Sequence, residues 1–159
     1  MLTGQSKENK KMIDFYKKQT EIENYIQKNF NDFLTEKEFT VPDRYTNESI
    51  DLDKFKNNRT VFFAWTGIDF DNLSNESQNQ KLKLEIAFCC RNGTESDLQK
   101  EAFDYASNFY NWFYDSDCNR NFGGLIDFGT ITTVEPYTAA EANKYIKFIN
   151  IVIELNLED

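Results

Sequence analysis

The chain has 159 residues, of which 16% are aromatic, with a formal net charge of −9 and no histidine. A chain of this length and aromatic content is expected to fold as one domain that buries roughly two-thirds of its unfolded surface, so a disordered protein is excluded. The negative charge disfavours a general affinity for nucleic acid. The absence of histidine removes the Ser–His and Cys–His nucleophile pairs and the commonest zinc ligand.

The first predicted element is a long amphipathic helix at about residues 7–34, with Ser6 as its N-cap. Apolar side chains recur three, four or seven positions apart, as one face of a helix requires. They are Met12, Phe15, Ile22, Ile26, Phe30 and Phe33. We expect residues 1–9 to be a flexible N-terminus and residues 10–159 to form a single α+β domain.

The next stretch is mostly polar and then turns apolar. We interpret residues 39–42 as a short strand ended by Pro42, and residues 43–58 as a loop that Ile50, Leu52 and Phe55 hold against the protein. Residues 60–66 predict a strand covered on both faces. Residues 69–80 are rich in Asn, Ser and Gln, which favours a mobile loop.

The clearest strand pattern covers residues 81–90, where apolar and other side chains alternate. A period of two over ten residues predicts a strand with one buried face, paired with the preceding strand as a hairpin. Cys89 and Cys90 point to opposite faces of such a strand, and we expect Cys90 to pack as a small hydrophobe.

A second helix is predicted at about residues 96–115, with Ser96 and Gln99 as a capping box. Apolar residues lie around most of the circumference of this helix, so it is either enclosed by the core or contacts a partner on one face. Tyr110, Phe113 and Tyr114 are of the residue types enriched at protein interfaces, and they form the candidate protein interface. Core burial is the alternative interpretation.

Two further strands are predicted, one ending at about Glu135 and one at about residues 145–157. The order is helix, strand, strand, helix, strand, strand. We therefore predict an α+β fold with an antiparallel-rich, four-stranded sheet and two main helices packed on it.

We predict no catalytic residue, no cofactor and no metal site. Asp69 and Asp71 have the D-x-D form of some metal sites, but the glycine and terminal glutamate of an EF-hand loop are missing. Asp115 and Asp117 repeat that form after the second helix, where acidic residues are ordinary. A solvated loop is the preferred interpretation of both pairs. No segment has the length and apolar character of a signal peptide or a membrane span, so we expect a soluble protein without a membrane partner.

The order of the elements and the apolar pattern of the strands resemble those of one known family. A helix and an apolar strand lead to a hairpin ending in "LKLEIAFCCRN", and a helix and two strands end in "KFINIVIELNL". Over roughly residues 10–157 this resembles the tail-terminator (tail-completion) proteins of long-tailed bacteriophages and phage-like particles. In that family an αββαββ-type domain assembles as a ring, commonly a hexamer, that caps the tail tube and joins it to the neck.

The resemblance implies a structural protein of the virion tail or neck, assembled in the host cytoplasm. Its partners would be its own copies and the tail-tube and neck proteins, with no specific nucleic acid. Ring contacts are expected at a sheet edge and at the exposed side of the second helix. A monomeric, cytoplasmic protein-binding or regulatory module of a bacterium or mobile element is the alternative. A metal-dependent enzyme using Asp69, Asp71 or Asp115 ranks third.

Overall fold

The computed structural model describes residues 14–72, 78–136 and 145–158. Helix α1 spans Phe15–Glu36 and helix α2 spans Glu95–Phe113. The strands are β1 (Arg44–Thr46), β2 (Arg59–Asn72), β3 (Gln78–Arg91), β4 (Phe128–Pro136) and β5 (Ile146–Glu158), in the spatial order β1-β2-β3-β5-β4. The predicted Ser6 cap and flexible residues 1–9 lie outside the described residues.

The predicted α+β class is confirmed, but the four-stranded sheet is wrong because there is a fifth strand, β1. It pairs in parallel with β2, whereas the other neighbouring strands are antiparallel. A three-residue strand is too short to show an alternating pattern. Residues 39–42 are not a strand, since Phe39 packs edge-on against Tyr105 and the Tyr105 hydroxyl donates a hydrogen bond to the Thr40 carbonyl.

The mobile loop predicted for residues 69–80 is wrong at both ends. Strand β2 continues to Asn72 and β3 already begins at Gln78, with Asp71 opposite Asn79. Backbone hydrogen bonds join the two strands there, so the polar side chains need no buried face. A β-bulge between Trp65 and Gly67 shifts the register partway along this hairpin.

Helix α2 begins one residue earlier than predicted and has a different cap. Its N-cap is Thr94, whose side chain accepts a hydrogen bond from the Asp97 amide, so the predicted Ser96–Gln99 capping box is wrong. Helix α1 has Asp14 as its N-cap, and the Asp14 carboxylate accepts a hydrogen bond from the Lys17 amide at 3.0 Å. Both caps satisfy amides that lack a partner inside the helix.

Both helices pack on the same face of the sheet. The predicted apolar face of β3 is confirmed, because Leu82, Leu84, Ile86, Phe88 and Cys90 are all buried in this core. The prediction of only one buried face is wrong at the end of the strand, where Ala87 and Cys89 are buried on the opposite face. Phe30 of α1 lies at its centre, with ring centroids 5.3 Å from Phe109, 5.5 Å from Trp112 and 6.0 Å from Phe88. Burying such a ring contributes about 1.5–3 kcal/mol relative to leaving it exposed.

Residues 47–58, called here the covering segment, pack on part of the opposite face of the sheet. Phe55 is buried there, with Ile50 and Leu52 beside it, as predicted for this loop. Arg91 holds the segment by donating hydrogen bonds to the carbonyls of Leu52 at 3.1 Å and Phe55 at 3.0 Å. Cys89 faces this smaller cluster and Cys90 faces the main core, which confirms that they point to opposite faces.

Candidate protein interface

Helix α2 presents a large apolar surface beside strand β4. Phe103 is 40% exposed, Tyr110 is 48% exposed, and Val134 on β4 is 41% exposed. A groove of about 320 Å³ runs between them. It is lined by Phe103, Ala106, Ser107, Tyr110, Asn111 and Val134. We call this groove and its rim the α2–β4 surface.

The position of α2 on the sheet creates this surface. The helix packs against β5 and β3, whereas β4 is the outermost strand on that side. Among the described residues no strand lies beyond β4, and the outer flank of α2 stays exposed there at Phe103 and Tyr110. Val134 lies opposite Ile151 and so belongs to the helix-covered face, yet 41% of it stays exposed.

The three candidate interface residues have different surroundings. Tyr110 is exposed on the α2–β4 surface. Tyr114 is half-buried; its hydroxyl accepts a hydrogen bond from the Ile131 amide at 3.0 Å, and its ring centroid lies 4.7 Å from that of Tyr110. Tyr114 thus ties the end of α2 to the edge strand and supports one side of the groove.

Phe113 is a correction, because its side chain is fully buried and is not available to a partner. It stacks on Phe109 at 6.1 Å between ring centroids and contacts Phe122 at 5.3 Å. Gly129 on β4 makes room for it, since an added Cβ there would lie 2.7 Å from the Phe113 ring. Sequence periodicity could not show this, because the space is provided by a residue sixteen positions further along a different element.

Phe103 belongs to the α2–β4 surface but was not among the interface residues predicted from sequence. The available signal was its spacing, because Phe103 lies seven residues, two helical turns, before Tyr110. Val134 had no comparable signal. Its role depends on β4 being the edge strand, and the order of strands in a sheet is not visible in a single sequence.

A second concave region lies at the other edge of the sheet. Strand β1 pairs only with residues 60–62 of β2. Beyond it, the start of α1, the covering segment and β2 enclose a cleft of about 450 Å³, lined among others by Tyr16, Glu23, Asn47, Trp65, Glu85 and Asn150. We call this the β2 cleft.

Two carboxylates near the β2 cleft are held in place by neutral donors, Glu23 on the helix-covered face of the sheet and Glu85 on the opposite face. Glu23 accepts a hydrogen bond from the Trp65 indole Nε1 at 2.7 Å on one oxygen, and from the Asn47 Nδ2 at 3.1 Å on the other. Glu85 accepts from the Asn150 Nδ2 at 3.1 Å. No sequence motif joins these residues, which come from α1, the covering segment and three strands.

The acidic pairs singled out in the sequence have ordinary structural partners. Asp69 forms an ion pair with Lys83 at 2.8 Å, and this hydrogen bond and charge lower the pKa of Asp69. The Asp115 carboxylate accepts a hydrogen bond from the Ser116 hydroxyl at 3.1 Å in the turn after α2. In the described ranges, no group of three or more Cys, Asp or Glu side chains is arranged to hold a metal ion.

The three cysteines are unpaired and buried. Burial raises the pKa of the Cys89 thiol, and likewise that of Cys118, to about 12. Because the thiolate is the nucleophile, thiols with such a pKa are unreactive near neutral pH. Their surroundings are those of structural side chains.

No protein-family model matches this chain, and the search of curated proteins gave no match either. Neither helix of the described part is long and apolar enough to cross a membrane.

Proposed function

We propose that this chain is a structural assembly protein of the tail-terminator kind, in which copies join through the α2–β4 surface to form a ring. The observation that carries the proposal is the groove beside β4, where exposed Phe103, Tyr110 and Val134 adjoin the outermost strand of the described sheet. Apart from the additional three-residue strand β1, the helices and strands follow the αββαββ order of the resembling family, which supports the same assignment.

An apolar groove beside an edge strand is suited to a protein partner. Phenylalanine and tyrosine bury large areas with few rotatable bonds and are frequent among the residues that dominate binding energy. On β4 the Gly129 N–H and C=O groups already bond to Arg120, and the Ile131 N–H bonds to Tyr114, so a partner is held by the apolar side chains of the groove more than by extension of the sheet. Ring closure requires this surface to meet a different surface of the next copy.

In this role the ring ends the growth of the tail tube and provides a docking surface for the neck. The protein then works mechanically, with no reaction to catalyse. Its net charge of −9 suits a ring through which DNA passes, because like charge limits adhesion of the phosphate backbone.

The test is native mass spectrometry and sedimentation of the purified chain, alone and mixed with the tail-tube protein of the same genome. We expect a discrete multiple of the 18.8 kDa protomer mass. Replacing both exposed aromatic residues, as Phe103→Ser with Tyr110→Ser, should shift the population to monomer while the thermal unfolding profile stays cooperative.

Val41→Ser is the matched control, because Val41 is an exposed apolar residue outside the groove. It should leave the assembly unchanged. A chain that stays monomeric at high concentration, even beside the tail-tube protein, would overturn the proposal in favour of a monomeric binding or regulatory module.

A further inference from the structure

We infer that the second contact surface of the ring lies at the opposite edge of the sheet, where the start of α1 and strand β2 expose Tyr16 and Phe70. We call it the α1–β2 surface. This inference rests on the proposed function, because the occupant of the surface is the α2–β4 surface of the next copy of this chain. It names the side of the protomer that closes the ring, and it requires a head-to-tail contact between copies.

The α1–β2 surface lies at the second edge of the sheet. Strand β1 pairs only with residues 60–62 of β2, so beyond residue 62 the described part of the chain has no strand outside β2. The α2–β4 surface lies at the other end of the same sheet. Two different surfaces at opposite ends of one sheet suit a head-to-tail contact, whereas a two-fold dimer uses one surface twice.

Aromatic rings from α1 and β2 come together at this edge. The Phe15 ring packs edge-on against the Phe70 ring, with 6.1 Å between the ring centroids. Tyr16 is 64% exposed and Phe70 is 49% exposed. Aromatic side chains bury large areas and are enriched at protein interfaces. Exposed rings at the edge of the sheet therefore favour a protein partner.

Both surfaces belong to the helix-covered side of the sheet. Phe70 contacts Phe15 of α1, and Val134 lies opposite Ile151 of the main core. Neighbouring copies can therefore meet edge to edge with their helices on the same side. Repeating that one contact around an axis generates a ring when the rotation closes.

The groove of the α2–β4 surface suits an aromatic side chain from a second copy. Its volume is about 320 Å³, and none of the described residues that line it is charged. A chain with a net charge of −9 can place a neutral ring there without bringing two acidic groups together. Tyr16 is more exposed than Phe70, so its ring is the side chain that we place in the groove.

The test mixes two variants, each of which lacks one surface. The groove variant carries Phe103→Ser with Tyr110→Ser, and the edge variant carries Tyr16→Ser with Phe70→Ser. Native mass spectrometry should find each variant alone as a monomer, with self-association weakened at least about tenfold. An equimolar mixture should give a species with one copy of each, because each variant keeps the surface that the other lacks. Labelling one variant with nitrogen-15 identifies this mixed species by its mass.

Controls separate loss of assembly from loss of fold. Both variants should unfold cooperatively on heating, because the replaced side chains are exposed. Tyr16→Ser alone is a second form of the edge variant, since Phe70 also packs on Phe15, and it should weaken assembly in the same direction. Val41→Ser, at an exposed apolar position outside both surfaces, is the matched control and should assemble like the unchanged chain.

The outcomes distinguish failure of this inference from failure of the proposed function. An edge variant that assembles like the unchanged chain would overturn the inference and leave assembly through the α2–β4 surface in place. A mixture without the mixed species would also overturn the inference. An unchanged chain that stays monomeric at every concentration would overturn the proposed function, and the inference with it. Two monomeric variants that combine one to one would support the head-to-tail contact.

Discussion

Tyr110 and Phe113 are three residues apart on α2, yet one faces solvent and the other fills the core. Phe113 lies between Phe109, Phe122 and the backbone at Gly129, and no part of its side chain is exposed. Tyr110 is 48% exposed and contacts Tyr114. The difference in burial predicts a difference in what each side chain contributes to folding.

Phe113→Ala should therefore lower the free energy of unfolding by about 3–5 kcal/mol, because it removes buried apolar area and leaves a cavity. Tyr110→Ala should lower it by less than about 1 kcal/mol, as expected for an exposed position. Urea denaturation of the two variants at a concentration where the protein is monomeric measures both values. Similar losses for the two would show that Tyr110 is part of the core and would remove it from the α2–β4 surface.

At the scale of elements, the covering segment is held on the sheet by few contacts. Phe55 packs edge-on against Phe62 at 5.5 Å between ring centroids, and the Arg44 guanidinium lies 4.9 Å from the centre of the Phe55 ring. The hydrogen bonds from Arg91 connect the segment to β3. Since the main core is on the opposite face, the segment can open without unfolding the rest of the molecule.

Phe55→Ala should increase amide hydrogen exchange in residues 50–56 while β3 and β5 stay protected, because the lost ring anchors only this segment. Hydrogen exchange measured by mass spectrometry resolves the two regions. Lys56→Ala is the control, since Lys56 is exposed in the same segment and should leave the exchange unchanged. Faster exchange throughout β3 in Phe55→Ala would show that the covering segment and the main core open together.

The elements that could be predicted from sequence are those in which one face carries apolar side chains and the other carries polar ones. Strands β3 and β5 were placed within three residues of their observed ends, because every second side chain from Leu82 to Cys90 and from Ile149 to Leu155 is apolar and buried. Strand β1 and the end of the β2–β3 hairpin were not predicted. Backbone hydrogen bonds hold them in place, and their side chains do not alternate between apolar and polar residues over more than a few positions.

The candidate sites were less predictable than the fold for a related reason. Tyr110 could be selected from the aromatic run on α2, but the burial of Phe113 depends on Gly129, and the exposure of Val134 depends on strand order. In the β2 cleft the Trp65 indole donates a hydrogen bond to Glu23, although the two residues are 42 positions apart in the chain. No local spacing can indicate a site that only the tertiary fold assembles.

At the scale of the whole molecule, the net charge of −9 acts against the proposed assembly. Copies of the chain repel one another, so assembly through an apolar surface has to overcome that repulsion. Salt screens the repulsion, because the Debye length shortens from about 30 Å at 0.01 M to about 8 Å at 0.15 M ionic strength.

Raising sodium chloride from 0.01 to 0.15 M should therefore strengthen self-association. Sedimentation equilibrium at the two salt concentrations measures the effect on the same protein. The Phe103→Ser, Tyr110→Ser variant is the control, because it should stay monomeric at every salt concentration. Self-association that weakens with salt would mean that ion pairs, and not the apolar groove, hold the copies together.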